Sequence, residues 1–186
     1  MKLNSSFIIA VALLFVSCNS KISNETYLEI QKKGNEISNL TQSVLLANVG
    51  KAMKKGGPVY AVEFCNLQAS SIVDSLNEAN NCLISRISEK NRNPENNLKT
   101  ESDKTLWPIF KGGTLNDTII SEGKKLVYYK PIKTAMPACL KCHGQPDSNI
   151  DPATSKKLQN LYPADLATGY KLNDFRGLWK IEFLVD

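Results

Sequence analysis

The sequence predicts an α+β protein in which helices come first and an antiparallel sheet follows. Three observations predict it. Apolar residues recur at three- and four-residue steps through roughly the first third of the chain, the spacing of a helix face. Two β-branched and aromatic runs flank Glu122-Gly123-Lys124, the pattern of a hairpin. The chain closes on residues 177–185, where Leu178, Ile181, Phe183 and Val185 nearly alternate with polar positions, as in a half-buried strand. At 186 residues and 42% hydrophobic side chains, one domain with its own core is the natural size.

The N-terminal segment sets the compartment. Lys2 precedes the apolar run from Phe7 to Val16. About ten residues are too few to span a bilayer comfortably and match a signal-peptide core. Leu14-Phe15-Val16-Ser17-Cys18 resembles the bacterial lipoprotein box, in which the cysteine receives lipid and becomes the new N-terminus, although Phe15 replaces the usual aliphatic residue. The expected organisation is a signal peptide over residues 1–17, a tether over 18–25 and a single domain over 26–186. Cys18 is the expected lipid attachment site, and the mature protein is expected in the periplasm or cell envelope, held to a membrane by that lipid. Ordinary signal-peptidase cleavage to a soluble periplasmic protein is the alternative.

The elements follow in order. Tyr27, Ile30, Ile37, Leu40, Val44 and Ala47 mark a long first helix ending at Gly56-Gly57. Pro58 suits the first turn of a second helix, which places Val62, Cys65, Ala69, Ile72 and Leu76 on one inward face. Residues 77–81 break that pattern and 83–88 read as a short strand. Residues 90–103 are polar and read as a surface excursion. Residues 118–121 and 125–132 form the hairpin, and the segment after it reads as irregular. Lysines and arginines, 23 against 18 acidic residues, are scattered with only short pairs such as Lys32-Lys33. That is a solvated surface and gives no reason to expect a nucleic-acid partner.

The chemistry concentrates in Cys139-Leu140-Lys141-Cys142-His143, which contains the only histidine of the chain. Outside the cytoplasm, Cys-x-x-Cys-His is the attachment site of a c-type haem. Two thiols add across the porphyrin vinyl groups, and the adjacent imidazole reaches the iron. The expected cofactor is one covalent haem c at Cys139 and Cys142, with His143 as axial ligand. Three other readings are open: a redox-active disulfide of the thioredoxin kind, zinc held by these residues with Cys65 or Cys82, and an inert disulfide. The far side of the iron has as candidates Cys65, Cys82, Met53, Met136, a lysine, water or nothing. Cys65 itself can also be a core residue or a disulfide partner of Cys82.

Six stretches in their order resemble a bacterial periplasmic c-type haem domain with a PAS-like fold, found free-standing and as the sensing part of histidine kinases and chemoreceptors. They are residues 61–69 (AVEFCNLQA), 86–88 with 92–96 (RIS, RNPEN), 129–132 (YKPI), 139–144 (CLKCHG), 162–170 (YPADLATGY) and 174–177 (DFRG). The resemblance runs from about residue 36 to 185. It implies a PAS-like antiparallel sheet flanked by helices. It also implies that Cys65, the cysteine of the upstream helix, joins His143 as second axial ligand. Cys82 falls outside the family pattern. Residues 162–170 are expected to wrap the haem edge, with Asp165 and Tyr170 near it and Arg92 or Arg176 meeting the propionates. With no second histidine available as a distal acid or base, a redox or gas sensor or an electron-transfer protein is expected rather than an enzyme of peroxidase or reductase type. Its output then passes through an unidentified redox or signalling protein partner.

Overall fold

A computed structural model describes residues 22–184. The signal peptide and Cys18 lie outside the described residues.

The long helix α1 (Asn24–Asn80) starts where Ser23 accepts a hydrogen bond from the Thr26 amide through its side chain. It therefore begins inside the expected tether, because that short cap suffices to close its first turn. The periodic stripe breaks at Gly56 and Gly57, whose backbone leaves the helical region, with Gly57 at φ +67°. Glycine carries that left-handed conformation at little cost, and Pro58 restarts the helix. A straight helix of 57 residues would measure roughly 85 Å, yet side chains from both arms reach one hydrophobic cluster. The chain therefore folds back at the glycine pair. The second arm outruns the expected break and stops at Asn81, which adopts a left-handed conformation, φ +48°.

The sheet has four antiparallel strands in the order β1-β4-β3-β2: β1 (Leu83–Ile87), β2 (Thr118–Glu122), β3 (Lys125–Lys133) and β4 (Phe175–Leu184). The hairpin closes through Gly123 and Lys124, with Glu122 opposite Lys125. Alternation along the two central strands builds two cores. Leu126, Tyr128, Trp179, Ile181 and Phe183 face α1, where Ile30, Ile37 and Leu45 cover them. Val127, Tyr129 and Leu178 face the other way, against Trp107 and Phe110 of α2 (Glu101–Lys111).

Three helices were not expected: α2 starts at the end of the polar excursion and runs on through residues given no element, and the other two lie in the segment read as irregular. Helix α2 is closed by a reciprocal capping box between Thr100 and Asp103, a signal masked by the polar run before it and by Pro108 within it. Helix α4 (Pro152–Leu161) has Asp151 as its cap and proline in its first turn. Helix α3 (Pro137–His143) contains the Cys-x-x-Cys-His stretch, so Pro137 opens a helical turn rather than standing in a loop.

Gly34 lets the α1–sheet contact form. A Cβ there would lie 2.3 Å from Cγ of Tyr128, a fully buried ring. In an exposed helix Gly→Ala stabilises by about 1 kcal/mol. At this position Gly34→Ala is expected to destabilise by roughly 1–3 kcal/mol through overpacking, lowering the urea midpoint. A raised midpoint would mean that α1 does not press on Tyr128 in this way.

Candidate functional site

The site lies where β1 ends, β4 begins and the second arm of α1 passes α3 and α4. Its base is a small core: Val62 of α1, Ile150, and Leu158 of α4, with Cys142, Leu161 and Tyr162 packed against them. An ion pair between Glu63 and Lys157, 3.0 Å, ties α1 to α4. The face expected to hold Val62, Cys65, Ala69, Ile72 and Leu76 therefore divides. Val62 points to α4, whereas Ala69, Ile72 and Leu76 join the sheet core. Cys65 sits between them, half-buried.

His143 ends α3, and its imidazole is fixed from two sides. Nδ1 lies 2.8 Å from the carbonyl oxygen of Ala167, and the Tyr170 ring meets the imidazole edge-on at 6.4 Å between centroids. A carbonyl only accepts, so Nδ1 carries the proton. Burial, reinforced by Arg92, Arg176 and Arg86 and opposed by the Ala167 bond, holds His143 well below the usual imidazole range. The neutral ring then has its lone pair at Nε2, the atom that can bind a metal. The loop after α4 is bound to the same turn by backbone bonds from Tyr170 to the His143 carbonyl, 2.9 Å, and from Gly169 to the Gly144 carbonyl, 2.8 Å.

Arg92 is delivered by the turn after β1, whose short 3₁₀ segment Pro94–Asn96 is capped by Asn93. Its Nε donates to Asp165 at 3.0 Å, and its Nη2 donates to the carbonyls of Cys142 at 2.5 Å and Ala167 at 3.3 Å. Asp165 also accepts the Ala167 amide, 2.7 Å. Both residues are largely buried. Arg176 donates to Ser88 Oγ at 3.2 Å and to the Lys90 carbonyl at 3.0 Å, but its Nε is buried without a partner. Desolvation pulls the Arg176 pKa down to about 10. Arg86, on β1, was assigned no role by sequence reasoning. It remains accessible to solvent, yet desolvation lowers its pKa, with Cys65 and Tyr162 acting in the opposite sense. Its one sequence signal is a cation in the middle of a β-branched run.

Burial disfavours the thiolate form of two cysteines of the site. Burial raises the Cys65 pKa against the pull of Arg86 and Arg92. Burial raises Cys142 to about 11, with Arg92 opposing and Cys65, Asp151 and Cys139 adding to it. Thiol–disulfide catalysts depend on a depressed thiol pKa, and burial acts in the opposite sense on Cys142. These perturbations also show which predicted residues the fold assembles: Cys65, Cys139, Cys142 and His143 share one neighbourhood with Arg86 and Arg92.

Cys82 is not part of it. It packs at the edge of the sheet core and its thiol responds to Lys33. The continuous helix from Cys65 to Asn80 separates the two cysteines by roughly 20 Å, far beyond disulfide reach. All four cysteines among the described residues are free. Met136 precedes α3 and lines an open groove with Asn39 and Leu46 of the first arm of α1, away from the arginines. No three His, Cys, Asp or Glu side chains converge as a metal-ligand cluster among the described residues, so zinc has no preformed site.

A family model described as Tll0287-like matches residues 16–183. The crystal structure of the cyanobacterial heme-protein Tll0287 superposes with a TM-score of 0.62 at 19% identity, over 88% of this chain and 97% of that one. No curated protein matches. At that identity the structural likeness extends to the fold: an antiparallel sheet flanked by helices, with a long helix leading.

Proposed function

The chain belongs to the Tll0287-like family, and from that premise we propose that it is an exported c-type cytochrome domain with one haem, serving as a redox or gas sensor or as an electron-transfer protein. Cys139 and Cys142 would hold the haem covalently, and His143 and Cys65 would bind its iron. The observation that carries this reading is the His143 ring: neutral, held through Nδ1 and free at Nε2, on the same helical turn as the two cysteines.

The surrounding residues fit such a group. Three guanidiniums, Arg86, Arg92 and Arg176, converge on the site, and only Asp165 pairs with one of them. Arg86 and Arg176 form no ion pair among the described residues, and desolvation acts against the charge of both. A haem brings two propionates. The partnerless Nε of Arg176 is a donor waiting for an acceptor of that kind. Arg92 commits its Nε and Nη2 to protein acceptors, so Arg86, Arg176 and the Nη1 of Arg92 are left to meet the propionates.

When bound, haem supplies a one-electron couple and an iron site for a diatomic ligand. The chain itself orients the imidazole, shields it from water and presents Cys65 from the opposite helix. A thiolate ligand favours the ferric state. Asp165 is committed to the Arg92 ion pair, and Cys65, whose thiol burial keeps protonated, would give up that proton on binding a metal. Export, the lipid at Cys18, a membrane-anchored periplasmic location and a redox or signalling protein partner belong to the same proposal.

Cys65→Ser is expected to shift the ferric Soret band. An unchanged spectrum would assign the distal position to another group. Rapid carbon monoxide binding by the reduced protein supports an exchangeable ligand and sensing. Six-coordination in both oxidation states supports electron transfer.

A further inference from the structure

Arg92 and Asp165 do more than close a loop. Asp165 accepts the amide of Ala167 at 2.7 Å and the Nε–H of Arg92 at 3.0 Å. Arg92 in turn donates to the Ala167 carbonyl at 3.3 Å, and His143 donates to that same oxygen at 2.8 Å. One residue, Ala167, is thus held at its N–H by a carboxylate and at its C=O by a guanidinium, and its oxygen is shared between an arginine and the candidate ligand. A second bond from Arg92, 2.5 Å to the Cys142 carbonyl, fixes the turn on which His143 rides.

The basicity of a metal-bound imidazole follows the acceptor of its second N–H. A carbonyl held by His143 alone would draw strongly on the Nδ1 proton and enrich Nε2. A carbonyl that also accepts from a cation draws less. We propose that Arg92 and Asp165 are positioning residues that set the donor strength of His143 through the Ala167 carbonyl, and thereby set the reduction potential of the iron. This inference rests on the haem reading above and adds a specific control element to it.

Losing the Arg92 fork leaves the oxygen to His143, strengthens the imidazole as a donor, favours ferric iron and lowers the midpoint potential. Loss of a nearby positive charge would do the same through space, so the decisive variant is Arg92→Lys, which keeps the charge but not the planar fork.

The experiment uses matured protein whose pigment resists acid-acetone extraction. It compares midpoint potential with the iron–histidine stretching band after photolysis of the carbon monoxide adduct. For Arg92→Lys the expected result is a lower potential and a higher-frequency band than wild type. Arg92→Lys behaving as wild type would overturn the proposal, whether or not Arg92→Gln shifts, because a charge effect alone would then suffice. Should Arg92→Lys fail to mature, Asp165→Asn serves instead: an upward band shift supports the relay and an unmoved band overturns it. Wild type without covalent haem would instead sink the parent reading, which keeps the two failures distinguishable.

Discussion

Replacing Cys139 and Cys142 together by serine is expected to abolish covalent pigment: the variant, expressed with c-type maturation, loses its colour to acid acetone, while wild type keeps it. The two thiols lie one helical turn apart in α3, both half-buried, and Cys142 packs against the core formed by Val62, Ile150 and Leu158. Without the thioethers only His143 and Cys65 would retain the haem, and axial bonds alone exchange with solvent. Cys82→Ser is the control. It sits beside the sheet core and outside the arginine shell, and is expected to leave pigment retention unchanged. Colour that survives extraction from the double variant would place the attachment elsewhere.

The second large effect is one of stability. Asp103 is fully buried beneath the sheet, and its two oxygens accept four protein hydrogen bonds: from the amides of Lys99 and Thr100, 3.0 Å each, from the Tyr129 hydroxyl, 2.8 Å, and from Lys180 Nζ, 2.9 Å. Burial alone would raise its pKa. The bonds from Thr100, Lys180, Tyr129 and Lys99 outweigh burial and hold it below the usual carboxylate range. Asp103→Asn removes the charge and strands Lys180, itself 5% exposed, at an expected cost of about 3–5 kcal/mol. That is a large share of the roughly 5–15 kcal/mol that holds a domain folded. Adding Lys180→Met should recover part of the loss. Because the folded pKa is depressed, this stabilisation is present above the unfolded value near ~3.9 and disappears as pH falls through the folded one. Urea midpoints measured at pH 7 and pH 3 should therefore converge for wild type and Asp103→Asn at the lower pH. Equal midpoints at pH 7 would show that the triad contributes little.

Much of the frame was legible because its signals are local. The stripe from Tyr27 to Ala47, the Gly56-Gly57 break, the Gly123 hairpin and the closing strand each depend on neighbours in sequence. Helices α2 and α4 were missed for opposite reasons. The first places Pro108 in its middle and follows a polar run, and the second is short and mostly polar, so its cap at Asp151 was the only strong mark. In the site, the Cys-x-x-Cys-His stretch was legible as spacing, and Cys65 as a helix-face cysteine.

What the sequence could not show is tertiary. Arg86 enters the site only because β1 runs beside β4, and the Ala167 carbonyl carries no side-chain signal at all. Coordinates were also needed to see that Nε and Nη2 of Arg92 are committed to Asp165, Cys142 and Ala167, whereas Nε of Arg176 is buried without a partner. The rival pairing of Cys65 with Cys82 ended the same way, once one unbroken helix was found between them.

Covalent haem at Cys139 and Cys142 is decided by the intact mass of wild-type protein matured in a host that assembles c-type cytochromes, with a pyridine haemochrome spectrum on the same sample. The expected mass is that of the processed polypeptide plus one haem, with the spectral bands of a haem joined through two thioethers. The polypeptide mass without haem, or zinc in place of iron, would contradict it.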